Sequence, residues 1–204
     1  MGTDKHKVND NRRQSCHSCH RPASNCICDL AQKINNHVKV HLLQHPKEAK
    51  HPKGSAILLQ LSLKDIETWQ GEYFPNLEAE LSNENYYDLL LYPELESQDQ
   101  KENGHCLNRK PRQTTRLWVL DGTWKKAYKI LQLNPALQKL PKVSPAYSLE
   151  SQYEIRKAPK KGQLSTLEAC CYTLSELENT EKKYDSLLNS FMEFNRRWQN
   201  FSQA

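Results

Sequence analysis

A run of four apolar residues at 117–120, stopped by Asp121 and Gly122, constrains the fold of this chain more than any other feature. Continuous apolar runs bounded by a turn signal are typical of strands buried on both faces. Thr123 then opens a segment, residues 123–133, with apolar residues at helical spacing. The pattern predicts a strand, a glycine turn and a helix. It places Asp121 at the carboxyl end of a central strand, where open α/β sheets bind their ligands.

Apolar segments elsewhere in the chain alternate between strand and helix patterns. Further strands are predicted at residues 37–44, 88–92 and 143–148. Further helices are predicted at residues 55–63, where a strand is the alternative, and at 165–178 and 181–194. The polar segment 94–116 is predicted to be a mobile loop. This alternation predicts an α/β fold with a mostly parallel sheet.

Length and composition limit the class of protein. With 204 residues, the chain is long enough for one domain with a hydrophobic core and a small appendage. It contains no apolar run that could span a bilayer and no signal-peptide pattern, so we expect a cytoplasmic protein without a membrane partner. Glycine-rich dinucleotide loops, Walker loops and the serine-hydrolase elbow are also missing, so the sequence does not indicate those enzyme classes.

Four of the seven cysteines crowd one short segment near the amino terminus. In a reducing compartment, clustered cysteines indicate a metal site rather than disulfides. Cys-x-x-Cys is a common half of a zinc site, and Cys-x-Cys is a tighter half that can also bind. The predicted ligands of a structural zinc are Cys16, Cys19, Cys26 and Cys28. His17 and His20 are competing ligands, and reduced thiols packed in a turn are the other interpretation.

The net charge of +5 hides an uneven distribution. Residues 65–102 carry eleven acids and one base, so the rest of the chain is strongly basic. Two basic clusters precede candidate binding turns: Arg109, Lys110, Arg112 and Arg116, and then Arg156, Lys157, Lys160 and Lys161. A basic surface beside a ligand pocket suits a polyanion. Solvated loops are the alternative interpretation of either cluster.

Five segments, in one order, resemble the motifs of the DTW-domain family, the tRNA-uridine aminocarboxypropyltransferases. They are the cysteine cluster, Gln44-His45-Pro46-Lys47-Glu48, Leu91-Tyr92-Pro93, Asp121-Gly122-Thr123-Trp124 and Leu164-Ser165-Thr166-Leu167-Glu168-Ala169. Together they cover roughly residues 16–174. One segment departs from the family pattern. Residues 51–55 stand where the family usually has an Asn-Thr pair, which leaves the ligand role of this segment open.

The resemblance implies a Rossmann-like core related to the knotted SPOUT methyltransferases, although the periodicity itself shows no knot. The expected organisation is a disordered tail at 1–15, a zinc knuckle at 16–30 and a DTW catalytic domain at 31–204. The implied reaction transfers the 3-amino-3-carboxypropyl group of S-adenosylmethionine to N3 of a uridine in tRNA. No stable protein partner is expected. The alternatives are a SPOUT-like RNA methyltransferase and a non-catalytic, zinc-containing RNA-binding protein.

Strand ends and the resemblance together predict roles for individual residues. Asp121 is the expected base for the N3 proton of uridine, and capping of the following helix is its alternative role. Cofactor contacts are expected from Gly122, Thr123, Trp124, Tyr92, Pro93, Ser165, Thr166 and Glu168. RNA contacts are expected from His45, Glu48, Arg109, Lys110, Arg112, Arg116, Arg156 and Lys157.

Some of these residues also have ordinary structural interpretations. For Trp124 a core position is favoured, with stacking on a base or an adenine as the alternative. Ser165 and Glu168 fit a capping box, which is compatible with a helix start that binds the methionine carboxylate of the cofactor. His45 follows a strand end, but a single histidine is usually structural.

Overall fold

The structure is a computed structural model that describes residues 15–49, 51, 53–93, 110, 112–145 and 164–201. In this part of the chain, five strands form one parallel sheet in the order β2-β1-β4-β3-β5. The strands are β1 Lys39–Gln44, β2 Ile66–Gln70, β3 Tyr86–Leu91, β4 Thr114–Asp121 and β5 Lys142–Val143. The predicted α/β fold with a mostly parallel sheet is confirmed, and β4 is its central strand.

Seven α-helices accompany these strands within the described residues. They are α1 Pro46–Ala49, α2 Ala56–Ser62, α3 Leu77–Leu81, α4 Trp124–Leu133, α5 Pro135–Gln138, α6 Thr166–Leu177 and α7 Asp185–Phe201. The helix preferred for residues 55–63 is therefore confirmed. In the described residues, no helix has the length and apolar character that a membrane span requires.

The break between α6 and α7 lies where the sequence predicts it. Asn179 adopts a φ of 51°, the left-handed conformation that glycine usually supplies after a helix. Asparagine tolerates this conformation, so α6 ends without a glycine or a proline. The last helix starts later than predicted, at Asp185, and continues to Phe201.

Several element bounds differ from the prediction. Strand β4 begins at Thr114, so the end of the predicted loop 94–116 belongs to the sheet. The apolar pattern does not predict β2 or α3. Strand β5 ends at Val143, so Ser144 and Pro145 follow the strand instead of continuing it. Residues 146–148 of the predicted strand, and residues 1–14 of the predicted tail, lie outside the described residues.

Two hydrophobic clusters cover the two faces of the sheet. On one face, Val40 and Val119 pack against α2, α6 and α7. On the other face, Leu43 and Leu120 pack against α3, α4 and α5. Successive residues of β1 and β4 therefore alternate between two cores, which explains the continuous apolar run at residues 117–120 of β4.

A crevice opens between the carboxyl ends of β1 and β4. These strands are neighbours, and Gln44 lies opposite Asp121 in the ladder. The chain leaves β1 towards α2 on one face and leaves β4 towards α4 on the other. Adjacent parallel strands whose connections diverge in this way form the ligand-binding position of open α/β sheets. Asp121 lies at this position.

Candidate active site

A cavity of about 540 Å³ lies at this edge of the sheet. Its walls come from segments that follow β1, β3, β4 and β5, and from the start of α6. The predicted site residues that line it are Glu48, Tyr92, Pro93, Asp121, Gly122, Thr123, Trp124, Ser165 and Thr166. The fold therefore brings together motifs that are far apart in the sequence.

Asp121 lines this cavity and is only 6% exposed. The amide of Gln44 donates a 2.9 Å hydrogen bond to its Oδ2, and the side chain of Thr166 also bonds to it. Burial raises the pKa of Asp121 above its ordinary value, and the charge of Glu48 adds to this rise. The bonds from Gln44 and Thr166, and the charge of Lys126, act in the opposite direction. A carboxylate that burial leaves poorly hydrated is a suitable general base in its ionised form.

The turn after Asp121 leaves little room for a side chain at position 122. A Cβ at Gly122 would lie 3.0 Å from the Cβ of Lys126 and 3.6 Å from the Cβ of His45. The first of these distances is tight, so a side chain at position 122 would require Lys126 to shift by a few tenths of an ångström. Thr123, rather than Asp121, is the N-cap residue of α4, so the carboxylate of Asp121 points to other partners.

The amino terminus of α6 forms another wall of the cavity. The Oγ atom of Ser165 accepts a 3.2 Å hydrogen bond from the Glu168 amide, and Glu168 Oε2 accepts one of 3.0 Å from the Ser165 amide. This is the predicted capping box, and it is confirmed. The side chain of Glu168 does not line the cavity, so its contact with a cofactor stays a prediction. The amides of Thr166 and Leu167, at the same helix end, are outside the capping box.

His45 is buried beside the cavity without lining it. Its Nε2 lies 2.7 Å from Glu72 Oε1, and its Nδ1 accepts a 3.1 Å hydrogen bond from the Lys47 amide. The backbone amide of His45 donates to the carbonyl oxygen of Asp121 at 3.0 Å. These contacts use both ring nitrogens within the protein, so they support a structural role better than the predicted RNA contact.

Glu48 does line the cavity, where its Oε1 lies 2.5 Å from Lys126 Nζ. The same wall contains His51, Lys53, Gly54 and Ser55. The segment that departs from the family pattern is therefore part of the cavity.

Trp124 is 53% exposed at the edge of the cavity, so the core position favoured for it is wrong. Its ring meets the ring of Tyr92 almost perpendicularly, with 6.3 Å between the centroids. The pair forms an aromatic wall that is open to solvent on one side.

Residues 13–199 match the family model of the DTW domain. The chain belongs to the DTW-domain family. It is 33% identical over 186 residues to tRNA-uridine aminocarboxypropyltransferase 2 of Drosophila melanogaster, covering 87% of this chain and 72% of that protein. It is 30% identical to the protein of the same name from Macaca fascicularis, covering 87% of this chain and 61% of the relative.

A plant protein is similar over more of its own length. The chain is 24% identical to tRNA-uridine aminocarboxypropyltransferase A of Arabidopsis thaliana, covering 92% of this chain and 83% of the relative. No solved structure matches the chain significantly. The DTW match includes the cysteine cluster, which the sequence predicts as a unit of its own.

Among the predicted RNA contacts in this DTW-domain chain, Arg116 needs a correction. Its side chain is completely buried and lies over the ring of Tyr86, 4.3 Å from the centroid. Its Nε lies 2.5 Å from Asp88 Oδ1, and its guanidinium also pairs with Glu80. A side chain without solvent contact cannot bind RNA, so the prediction for Arg116 is wrong.

The exposed residues of the same basic cluster lie far from the cavity. Lys110 and Arg112 precede the amino end of β4, whereas Asp121 is at its carboxyl end. Eight strand residues separate the two ends by roughly 23 Å, at about 3.3 Å per residue. These two residues lie at the opposite edge of the sheet. Arg109, Arg156 and Lys157 lie outside the described residues, and so do Lys160 and Lys161.

The four clustered cysteines converge on one point. Their Sγ atoms all lie within 4.8 Å of one another. The Sγ atoms of Cys16 and Cys28 are 3.6 Å apart, and those of Cys19 and Cys26 are 3.8 Å apart. Four sulfur atoms around a tetrahedral zinc at about 2.3 Å would be about 3.8 Å from each other, so the donor set fits this metal. His17 and His20 are exposed and do not belong to the group.

The cysteine segment is attached to the rest of the domain. Cys19 and Ile27 are part of the hydrophobic cluster beneath α7. The guanidinium of Arg21 lies 4.9 Å from the centroid of the Phe194 ring on α7. The predicted unit 16–30 therefore shares its core with the remainder of the chain, and a boundary at residue 31 stays a prediction.

Sequence reasoning missed several residues of this site. Gln44 lies in a recognised motif, but only the pairing of β1 with β4 shows that its amide reaches Asp121. Ser144 and Pro145 follow β5 and line the cavity. They were not predicted as site residues because the predicted strand continued to residue 148. Pro145, two residues after Val143, is the signal that could have placed the strand end correctly.

Proposed function

We propose that this chain transfers the 3-amino-3-carboxypropyl group of S-adenosylmethionine to N3 of a uridine in tRNA. The observation that carries the proposal is the buried Asp121 carboxylate in a cavity at the carboxyl edge of the sheet. The names of the relatives support the same reaction, since all of those compared are tRNA-uridine aminocarboxypropyltransferases.

The chemistry requires one base and strict orientation. S-adenosylmethionine supplies an electrophilic γ-carbon attached to a sulfonium, whose leaving group departs as a neutral thioether. Asp121 accepts the N3 proton of uridine, the nitrogen lone pair forms the N3–Cγ bond, and the electrons of the Cγ–S bond go to sulfur. No general acid is needed because the leaving group is neutral. The cavity determines the product by presenting the γ-carbon, rather than the methyl group, to the uridine.

Two helix starts give the cavity a favourable potential for the carboxylate of the methionine moiety. Helices α4 and α6 both begin at its wall, and the first turn of α4 contains no acid. Backbone amides at a helix start bind anions, and those of Thr166 and Leu167 are outside the capping box. Tyr92, Pro93 and Leu91 supply an apolar wall for the adenosine.

The partner of the proposed reaction is a polyanion, and exposed basic residues can bind it away from the cavity. Lys110 and Arg112 precede the amino end of β4, which is roughly 23 Å from Asp121 along the strand, a separation that a tRNA can span. We propose that they contact the tRNA backbone, together with Arg109, Arg156 and Lys157. We also propose that the domain is related to the SPOUT fold and contains its knot.

We further infer that the cysteine knuckle binds a structural zinc. Four thiolates leave no open position on a tetrahedral ion, so this metal would hold the fold and take no part in the transfer. The fit of the sulfur distances to zinc geometry supports this role.

Mass spectrometry of tRNA nucleosides tests the reaction directly. The substrate is tRNA that lacks the modification, incubated with the protein and S-adenosylmethionine. A mass gain of one aminocarboxypropyl group on uridine is expected. A methyl gain would instead identify a methyltransferase. If no product forms and calorimetry detects no binding of S-adenosylmethionine, the chain is an RNA-binding protein and the proposal is wrong.

A further inference from the structure

The solvent side of α4 presents two aromatic side chains that the hydrophobic core does not use. Trp124 and Tyr128, one helical turn apart, are 53% and 56% exposed. Ala127, Ile130 and Leu131, on the other side of the same helix, pack in the core. The two exposed rings therefore contribute little to folding. Neighbouring large aromatic side chains in solvent are typical of a binding surface.

Tyr92 connects this pair to the cavity. Its ring meets that of Trp124 edge-on at 6.3 Å. Burial raises the pKa of Tyr92, and the charge of Tyr128 acts in the same direction. Tyr92 and Trp124 line the cavity, whereas Tyr128 does not. We call Tyr92, Trp124 and Tyr128 the aromatic ledge, because they extend from the cavity along the outer side of α4.

Lysines of α4 lie beside the aromatic ledge, and one of them, Lys126, pairs with Glu48. Helix α4 contains three lysines and no acid. Lys125 is exposed between the two aromatic residues of the helix. The side chain of Lys129, next to Tyr128, is 54% exposed and pairs with Glu72. Aromatic rings interleaved with lysines suit single-stranded nucleic acid, since the rings stack on bases and the lysines attract phosphates. An apolar protein segment would gain nothing from these charges, so the composition favours RNA.

We propose that Tyr128, at the outer end of the aromatic ledge, stacks on the base that neighbours the target uridine, so that the enzyme takes its uridine from an unpaired stretch of RNA. This inference rests on the proposed function. Asp121 is almost entirely buried, and only a uridine that has left its stack can bring N3 to it. The neighbouring base then loses a stacking partner just outside the cavity. The exposed ring of Tyr128 lies where it can replace that partner.

Binding of short single-stranded RNA to variants of Tyr128 tests the aromatic ledge. The probe is a labelled RNA with one uridine, and two further probes carry an abasic site on one or the other side of that uridine. Tyr128→Ala is expected to weaken binding of the intact probe roughly tenfold or more, whereas Tyr128→Phe keeps the ring and binds normally. Tyr73→Ala is the matched control, because Tyr73 is 63% exposed and does not line the cavity.

The abasic probes identify the contact as stacking. One abasic probe should bind the wild-type protein as weakly as the intact probe binds Tyr128→Ala. The affinity of Tyr128→Ala for that abasic probe should be equally low and should show no additional loss. If Tyr128→Ala behaves like Tyr73→Ala, the inference is overturned. It is also overturned if neither abasic site matters, or if Tyr128→Ala loses affinity for S-adenosylmethionine instead of RNA. The assay needs no turnover, so a failure of the proposed transfer reaction would be recognised separately.

Discussion

Gln44 and Asp121 lie opposite each other at the carboxyl ends of adjacent strands, joined by a 2.9 Å hydrogen bond from the amide to the carboxylate. Gln44 is only 5% exposed, and its Oε1 lies 3.5 Å from the side-chain nitrogen Nε2 of Gln70 on β2. The bond orients the carboxylate and favours its ionised form. Gln44 is thus a positioning residue for the proposed base.

Replacing Gln44 with methionine should shift the pH dependence of the transfer. The hydrogen bond from Gln44 lowers the pKa of Asp121, in opposition to burial, which raises it. Without that bond the pKa of Asp121 rises further. Because the base works only when ionised, activity should be lost at a higher pH as the solution is acidified. The measurement is the acidic limb of kcat/KM against pH.

Gln70→Met provides the control for this experiment. Gln70 contacts Gln44 but is not among the groups that shift the pKa of Asp121. Its replacement should leave the acidic limb in place. Equal shifts in both variants would show that packing of the strand end, rather than the bond to the carboxylate, determines the profile.

Asp121→Asn should stop the transfer while the fold and the affinity for S-adenosylmethionine persist. A lost general base typically reduces the rate by about 10²–10⁴-fold. Burial raises the pKa of Asp121, so the ionised carboxylate destabilises the fold increasingly as the pH rises from the unfolded towards the folded pKa. The neutral amide removes this effect, and the melting temperature should not fall. Single-turnover kinetics and thermal unfolding check both statements. Wild-type turnover in this variant would show that Asp121 is not the general base.

The position of Asp121 at the end of a buried strand was predictable because its signal is local. An apolar run, an acid, a glycine and a helix start follow one another within a few residues, and each has one structural meaning. Trp124 follows in the same segment, yet its exposure was not predictable. Helical spacing shows which positions of α4 lie on the same side of the helix. Whether that side is buried or exposed depends on how α4 packs against the sheet.

Arg116 shows why other parts of the site were mispredicted. In the sequence it is the last of a group of basic residues before an apolar run, the usual pattern of a solvated loop end. Its burial depends on Asp88 and Glu80, which lie 28 and 36 residues earlier in the chain. Such a pairing follows from the order of the strands, and that order cannot be obtained from local spacing.

Arg116→Met is therefore expected to reduce stability rather than RNA affinity. Removal of one partner of a buried ion pair leaves an uncompensated charge, at a typical cost of about 3–5 kcal/mol. Arg112 is exposed, and Arg112→Met should change stability by no more than about 0.5 kcal/mol. Denaturant unfolding of both variants measures the free energies. A weak effect for Arg116→Met would contradict the buried pairing with Asp88 and Glu80.

Removal of metal from the knuckle should destabilise the whole domain. Cys19 and Ile27 belong to the hydrophobic cluster beneath α7, and Arg197 of α7 pairs with Asp29 at 2.6 Å. Loss of the zinc should loosen this attachment and lower the melting temperature on the order of 10 °C, at about 2–4 °C per kcal/mol for a chain of this size. Metal analysis should find one zinc per chain.

A double variant separates the metal from other effects of the chelator. Cys16→Ser with Cys28→Ser removes two of the four sulfur ligands, so this protein should melt at the lower temperature and show no further change with chelator. A chain that contains no metal, or that melts at the same temperature with and without chelator, would favour reduced thiols packed in a turn. Zinc returned to the chelated wild-type protein should restore the higher melting temperature, whereas zinc added to the double variant should not. This difference would attribute the stability to the ion held by these thiolates.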